Sequence, residues 1–173
     1  NVLIDSHIKD KDFYFFQETN VYTIQEKIVK FLTGTLAKKY PEIDMLKDVQ
    51  VITPLREKTE LSCKALNTLL QDKLNNNKLI GNSIFKVGDK VIQTKNNYQL
   101  DIINGDIGYI ESINMQSKKL IVNFENPDRR VELPVYGNQL QLAYAITCHK
   151  FQGSENKIII IPIHKSFGSL IMQ

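Results

Sequence analysis

Cysteine is scarce in this chain: 173 residues hold two, Cys63 and Cys148, far apart and in no metal-type spacing. That excludes a disulfide framework and a zinc site built on cysteine pairs, and leaves free thiols in a cytoplasmic protein as the expectation. Long apolar runs are missing as well. The longest, residues 158–163, suits a buried strand and falls far short of the roughly 20 residues that span a bilayer, so no membrane partner is expected. The start, Asn1-Val2-Leu3-Ile4-Asp5, has neither a basic n-region nor a small-residue cleavage site, so no export signal is expected. It also lacks an initiator Met, which points to a piece of a longer protein. Charge of one sign is modest: the net charge is +3, and the adjacent basic pairs are Lys38-Lys39, Lys118-Lys119 and Arg129-Arg130. Bulk charge therefore says little about nucleic acid. Finally, the sequence has no Gly-x-x-x-x-Gly-Lys-Ser/Thr loop and no Asp-Glu pair after an apolar strand, so it carries no phosphate cradle or magnesium holder of that kind.

What is present reads as globular. Hydrophobic residues make up 42% and charged residues 24%, enough for one domain with a small insertion. Residues 12–17 (Asp-Phe-Tyr-Phe-Phe-Gln) predict a strand. Thr19, Asn20 and Thr23 offer N-cap side chains to a helix whose apolar stripe is Ile24, Ile28, Phe31, Leu32 and Leu36, stopped by Pro41. Residues 48–53 predict a second strand closed by Pro54, and residues 60–74 a second helix with Leu61, Ala65, Leu66, Leu69 and Leu70 inward. Strand, helix, strand, helix is the rhythm of a parallel α/β sheet.

After Asn75-Asn76-Asn77 the helical period stops. Strand-like runs at 85–94, 108–113, 119–124 and 130–133 are separated by turn chemistry such as Asn104-Gly105-Asp106 and Asn126-Pro127-Asp128. That density of short strands describes a small barrel. Residues 140–146 then lead into a polar stretch, and residues 157–163 form a β-branched run suited to the middle of a parallel sheet. The expected fold is α/β, a parallel-sheet domain formed by residues 1–83 and 138–173, with an all-β insert at 84–137.

The polar stretch concentrates the chemistry. In Leu142-Ala-Tyr-Ala-Ile-Thr-Cys-His-Lys-Phe-Gln-Gly-Ser-Glu155, a buried segment, a polar loop and a strand meet at a sheet edge, where open α/β folds bind ligands. Thr147, His149, Lys150 and Gln152 can donate to phosphates or bases, Gly153 lets a ligand approach the backbone, and Glu155 can accept from a ribose hydroxyl. Taken singly, His149 and Gln152 also suit backbone groups in a connecting loop; the whole string favours the ligand reading. Lys95, Asn96, Asn97 and Tyr98 combine a cation, amides and a ring, the mixture that single-stranded nucleic acid uses. Tyr98 fits a stacking ring and a packed hairpin ring equally. Arg56, after Val49-Gln-Val-Ile-Thr-Pro-Leu, stands beside a strand end, where by position alone it suits a surface arginine.

The string ending at Glu155 resembles motif V of superfamily 1 helicases, in its RecD-like (exonuclease V alpha-type) branch. Two residues depart from that pattern: Cys148 stands where a small aliphatic is usual, and Phe151 where Ser is usual. The segment 85–98 with Ile103-Asn-Gly-Asp-Ile-Gly-Tyr-Ile110 looks like the opening of the SH3-like insert of RecD-type helicases, and Val49–Arg56 resembles motif IV. After Arg56, Glu57-Lys58-Thr59-Glu60-Leu61 replaces the Gly-rich turn usual in relatives.

The resemblance implies a RecA-like domain with an SH3-like barrel inserted, forming the second motor domain of an ATP-dependent DNA helicase and ending before the last motif. It implies that Thr147, His149, Lys150, Lys95, Asn96 and Tyr98 face single-stranded DNA, and that Arg56, Gln152, Gly153 and Glu155 face the nucleotide. ATP and Mg2+ would be held mainly by the first RecA-like domain, and the chain alone would hydrolyse nothing. Partners implied are single-stranded and duplex-junction DNA, the first motor domain and nuclease-complex subunits, with 5′-to-3′ movement. The rival expectations are the helicase half of a TraA-type conjugative relaxase, a non-enzymatic nucleic-acid-binding module, and a scaffold in a nuclease complex.

Overall fold

The computed structural model describes residues 13–171, with side chains to residue 168. Asn20 opens α1 (Val21–Lys30), its side-chain oxygen accepting from the backbone N–H of Tyr22 and Thr23 at 2.9 and 3.2 Å. A π-helical turn at Phe31–Thr35 and a short α2 (Leu36–Lys39) continue the same rod. Ile28, Leu32 and Leu36 of the expected stripe are buried along it. The second helix, α3 (Cys63–Leu74), starts later than its apolar residues suggest, because Ser62 is its N-cap, and Leu61 is buried just ahead of it.

These helices pack on a three-stranded parallel sheet in the order β7 (Ala145–Thr147), β1 (Val49–Thr53), β8 (Ile158–Ile160). Thr53 lies opposite Thr147, and Val49 opposite Ile158. Every residue of β1 is buried, so β1 takes the middle position expected of residues 157–163. Among the described strands β8 is at the edge and ends at Ile160, with Pro162 unable to supply the next ladder N–H. Leu66 and Leu70 of α3 and Val51 of β1 centre the core, each leucine contributing about 1.5–3 kcal/mol by burial.

The expected strand at 12–17 is not present across its described part. Residues 13–17 take no strand conformation, Phe13, Tyr14, Phe15 and Phe16 are exposed, and Asp12 lies outside the described residues. Aromatic and extended character alone does not make a strand when no neighbouring strand supplies the backbone bonds. Farther along, the His164 imidazole meets the Thr19 carbonyl at 2.9 Å, tying the entry to α1 against the exit from β8.

The second layer is a five-stranded antiparallel sheet ordered β5 (Arg129–Pro134), β4 (Lys119–Phe124), β3 (Ile107–Asn114), β2 (Lys90–Gln93), β6 (Leu140–Leu142). Its core is built on Phe85, Val91, Ile110, Leu120, Val122 and Phe124. The run 85–94 yields only four strand residues, because Lys86–Asp89 forms a turn with Gly88 at φ 85°. The sheet reaches Leu142, and the chain changes sheets between β6 and β7.

That crossing is held by side-chain amides. Asn67 of α3 donates to the Ala145 carbonyl at 2.8 Å and accepts from the Ala145 N–H at 2.9 Å; Gln50 donates to the Ala143 and Tyr144 carbonyls, each at 3.2 Å. Buried backbone groups that leave one ladder before joining another need such partners.

Within β3, Gly108 allows close approach of β4: a Cβ there would lie 2.6 Å from a Val122 methyl and 2.9 Å from the Asn123 carbonyl oxygen. The carbonyl belongs to the ladder and cannot move aside. Gly108→Ala is therefore expected to destabilise by about 1–3 kcal/mol, read from the urea midpoint. An unchanged midpoint would mean that the two strands separate freely there.

Candidate nucleotide and nucleic-acid interface

Parallel strands β1 and β7 end side by side at Thr53 and Thr147, so the loops that follow emerge at one carboxyl edge of the sheet. Thr53 is buried and its hydroxyl donates to the Leu61 carbonyl at 2.7 Å, closing the loop 54–62 back on its own strand. The same loop is pinned to the start of α3, with Cys63 N–H on the Leu55 carbonyl at 2.8 Å and Lys64 N–H on the Arg56 carbonyl at 3.1 Å. Arg56 thus has a fixed backbone and an exposed side chain.

Lys58, in the loop after Arg56, adopts φ 86°. The loop makes the left-handed turn without a glycine and carries the steric strain of a side chain there. Lys58→Gly is expected to stabilise by about 0.5–1 kcal/mol, the relieved strain exceeding the added backbone entropy, in urea unfolding. A destabilised variant would show that the strain is absent.

On the β7 side the chain turns directly into α4 (Cys148–Phe151). Thr147 is buried at the strand end, while Cys148 and His149 are exposed. Lys150 is half-buried, and its ammonium donates to the Gln141 side-chain oxygen at 3.3 Å. Burial first, and the nearby Arg56 guanidinium second, hold the Lys150 ammonium below its ordinary pKa. Cys63 sits in the same neighbourhood, its thiol pushed up to about 11 by burial. Among the described residues no carboxylate forms an ion pair with Arg56 or Lys150. Two cations at one sheet edge, neither ion-paired with a described carboxylate, suit a phosphate-bearing ligand.

Gln152 and Glu155 are exposed, and Gly153 has φ 82° with nothing within 4 Å of where a Cβ would stand. The loop backbone is open to a ligand at that point.

Lys95, Asn96 and Tyr98 occupy the β2–β3 loop, which an Asn97–Ile102 bridge closes. The Asn96 amide is used as a brace: its oxygen accepts from the Asn104 N–H at 2.8 Å and its nitrogen donates to the Tyr98 hydroxyl at 2.7 Å. Tyr98 is 80% exposed, so its ring is not the packed hairpin ring. No described hydrogen bond joins this group to Arg56 or to residues 147–155. Its route to them is indirect. Both the N–H and the hydroxyl of Thr94 donate to the Gln139 carbonyl at 2.8 Å, and Gln141 follows two residues later with its contact to Lys150.

The basic pair Arg129-Arg130 is occupied within the insert. Arg129 contacts Asp106 at 2.8 Å, and Arg130 forks onto Glu111 at 2.7–3.1 Å. Sequence reasoning missed Gln141, whose alternation with Leu140 and Leu142 marks it as outward-facing but does not reveal a partner nine residues on.

No helix of the described residues is long and apolar enough to cross a membrane, and none of their His, Cys, Asp and Glu side chains cluster in a group that could hold a metal.

Residues 66–124 match the family model of the ATP-dependent RecD-like DNA helicase SH3 domain. The chain is 36% identical over 124 residues to the ATP-dependent RecD2 DNA helicase of Deinococcus radiodurans, covering 68% of this chain and 16% of that protein. It is 26% identical to the RecBCD enzyme subunit RecD of Buchnera aphidicola, covering 90% of this chain and 29% of that one. The chain thus spans less than a third of either relative. Among solved structures, that of two Pif1 helicases coordinating on forked double-stranded DNA aligns at 19% identity and TM-score 0.48, over 84% of this chain and 41% of that one.

Proposed function

Since this chain belongs among the RecD-like DNA helicases, we propose that it forms part of the second motor domain of an ATP-dependent DNA helicase and couples nucleotide state to its grip on single-stranded DNA. The RecA-like part is drawn from residues 1–83 and 138–173 and the inserted barrel from residues 84–137, with the barrel's sheet running on through β6 to Leu142. Thr147, His149 and Lys150 contact the DNA backbone, and Lys95, Asn96 and Tyr98 extend the track, Tyr98 as a stacking ring. Arg56, Gln152, Gly153 and Glu155 face ATP, whose phosphates and Mg2+ are held mainly by a first RecA-like domain elsewhere in the protein. Arg56 contributes as a fixed guanidinium that stabilises charge developing on the transferred phosphoryl group. The chain alone hydrolyses no ATP. The reading carries with it a cytoplasmic protein whose partners are single-stranded and duplex-junction DNA, its own first motor domain and nuclease-complex subunits.

The observation that supports this most is the parallel pairing of Thr53 with Thr147, which brings the loop that carries Arg56 and the turn that carries Lys150 out at one edge of the sheet. One residue belongs to the nucleotide side and the other to the DNA side, yet each lies in the other's field without a carboxylate between them. Neutralising either cation with phosphate relieves the other, so occupancy on one side alters affinity on the other.

The test is ATPase activity of the full-length protein with and without single-stranded DNA. Arg56→Ala is expected to lower turnover by about 100-fold or more under both conditions. His149→Ala is expected to keep basal turnover and lose stimulation by DNA. A full-length protein without DNA-dependent ATPase would replace the motor by a binding or scaffold role.

A further inference from the structure

Phe151 replaces the usual small hydroxyl residue, and its ring has a definite destination. It packs against the cluster of Ile92 of β2 with Ala143 and Ile146 at the crossing between sheets, a cluster that Ile107 of β3 also covers. Its neighbour Lys150 reaches Gln141 of β6, and Gln141 lies opposite Ile92 in the antiparallel ladder. Two successive side chains of α4 therefore land on one edge of the insert. The helix itself has four residues and receives no capping bond from the Thr147 side chain. A single turn without a cap has no stability of its own, so tertiary contacts decide where it sits.

We propose that Phe151 and Gln141 are positioning residues through which the inserted antiparallel sheet seats α4 and aims Lys150 at the phosphates of single-stranded DNA. Phe151 is the wedge that fixes the helix against β2 and β3. Gln141 takes one proton donor of the ammonium and leaves the others for a ligand. The inference rests on the DNA-facing reading of α4. It adds that the insert and the parallel-sheet domain act as one unit at this point, so that loosening their junction weakens DNA binding without removing any group that touches DNA.

The test uses the full-length protein and two readouts. The first needs no DNA: acetylation of Lys150 followed by mass spectrometry across pH, with Lys64 as an exposed reference. Burial, Arg56 and Cys63 set the Lys150 titration in the folded protein. Phe151→Ser is expected to move the labelling midpoint of Lys150 up, and Phe151→Leu to restore most of the original value. The second readout is affinity for an oligo-dT strand by fluorescence anisotropy. Phe151→Ser and Gln141→Leu are each expected to weaken binding by about fivefold, roughly 1 kcal/mol, and to have no further effect in a Lys150→Ala background.

An unmoved midpoint overturns the inference, as do losses that multiply with Lys150→Ala. If the midpoint moves while Lys150→Ala binds DNA like the wild type, the DNA-facing reading of α4 fails and the proposal falls with it. An unmoved midpoint beside a Lys150→Ala protein that binds weakly overturns the positioning role alone. Phe151→Leu and Gln141→Leu keep the test decisive should Phe151→Ser fail to fold.

Discussion

Asp89→Ala is expected to cost about 3–5 kcal/mol of stability, more than any other single polar substitution in the described part of the chain. The carboxylate is fully buried and faces only donors. The Tyr144 hydroxyl and the Asn75 amide bond one oxygen at 2.8 and 2.7 Å; the Gln71 amide and the Lys86 backbone N–H bond the other at 2.5 and 2.7 Å. These donors come from α3, from the segment after it, from the turn before β2 and from the crossing between sheets. Removing their shared acceptor takes away the group to which the Tyr144 hydroxyl donates, whereas Gln71 and Asn75 keep bonds to the Ile84 and Val87 carbonyls. Asp89→Asn retains one oxygen but turns an amide donor toward donors, so a smaller loss of about 2 kcal/mol is expected. Urea midpoints of the two variants and the wild type check the order. Equal and small losses would mean that water replaces the carboxylate.

Lys90 gives the protein an unusual pH dependence. Its side chain is 3% exposed, and its ammonium meets the Val49 carbonyl at 3.3 Å. Burial brings its pKa down from 10.5 to about 8, against the smaller upward pull of Glu125, Asp44 and Asp48. Between these values the unfolded chain binds the proton and the folded chain does not, so stability rises with pH through that window. The full difference corresponds to about 3 kcal/mol at roughly 1.4 kcal/mol per pKa unit. Burial also raises the phenols of Tyr109 and Tyr144, which makes stability fall above about pH 10. The gain is therefore read between about pH 8 and 10. Lys90→Met is expected to flatten the curve there and to be more stable than the wild type at pH 7 by about 2 kcal/mol, after loss of one hydrogen bond. Parallel curves for the two proteins would show that the ammonium reaches solvent.

Much of the architecture was legible in the sequence because it follows from periodicity. Ile28, Leu32 and Leu36 recur at helical spacing and are buried together, and β1 and β4 coincide with short β-branched runs bounded by turn residues. The crossing at Ala143 and Tyr144 was not legible. The run from Leu142 to Ile146 carries no mark of where one sheet ends, and the partners that fix the point, Asn67 and Gln50, are remote in sequence. The role of Asp89 was not legible either, because three of its four partners are remote from its own turn. Phe151 read as a lost hydroxyl, because its packing partners lie on strands that the sequence does not bring together. Residues 13–17 show the converse error: aromatic composition favours a strand, but pairing needs a neighbour. The strand ends before Pro54 and near Thr147 were readable, and their parallel pairing puts the loops after them at one edge of the sheet.

The most direct test of the account is the affinity of the full-length protein for single-stranded DNA, with and without a non-hydrolysable ATP analogue, in the wild type and in Arg56→Ala. The account predicts that the analogue changes wild-type affinity by about fivefold or more, and that Arg56→Ala binds DNA with an affinity indifferent to nucleotide. A wild-type affinity that nucleotide leaves unchanged, or an Arg56→Ala protein that responds in full, would contradict coupling through this edge of the sheet.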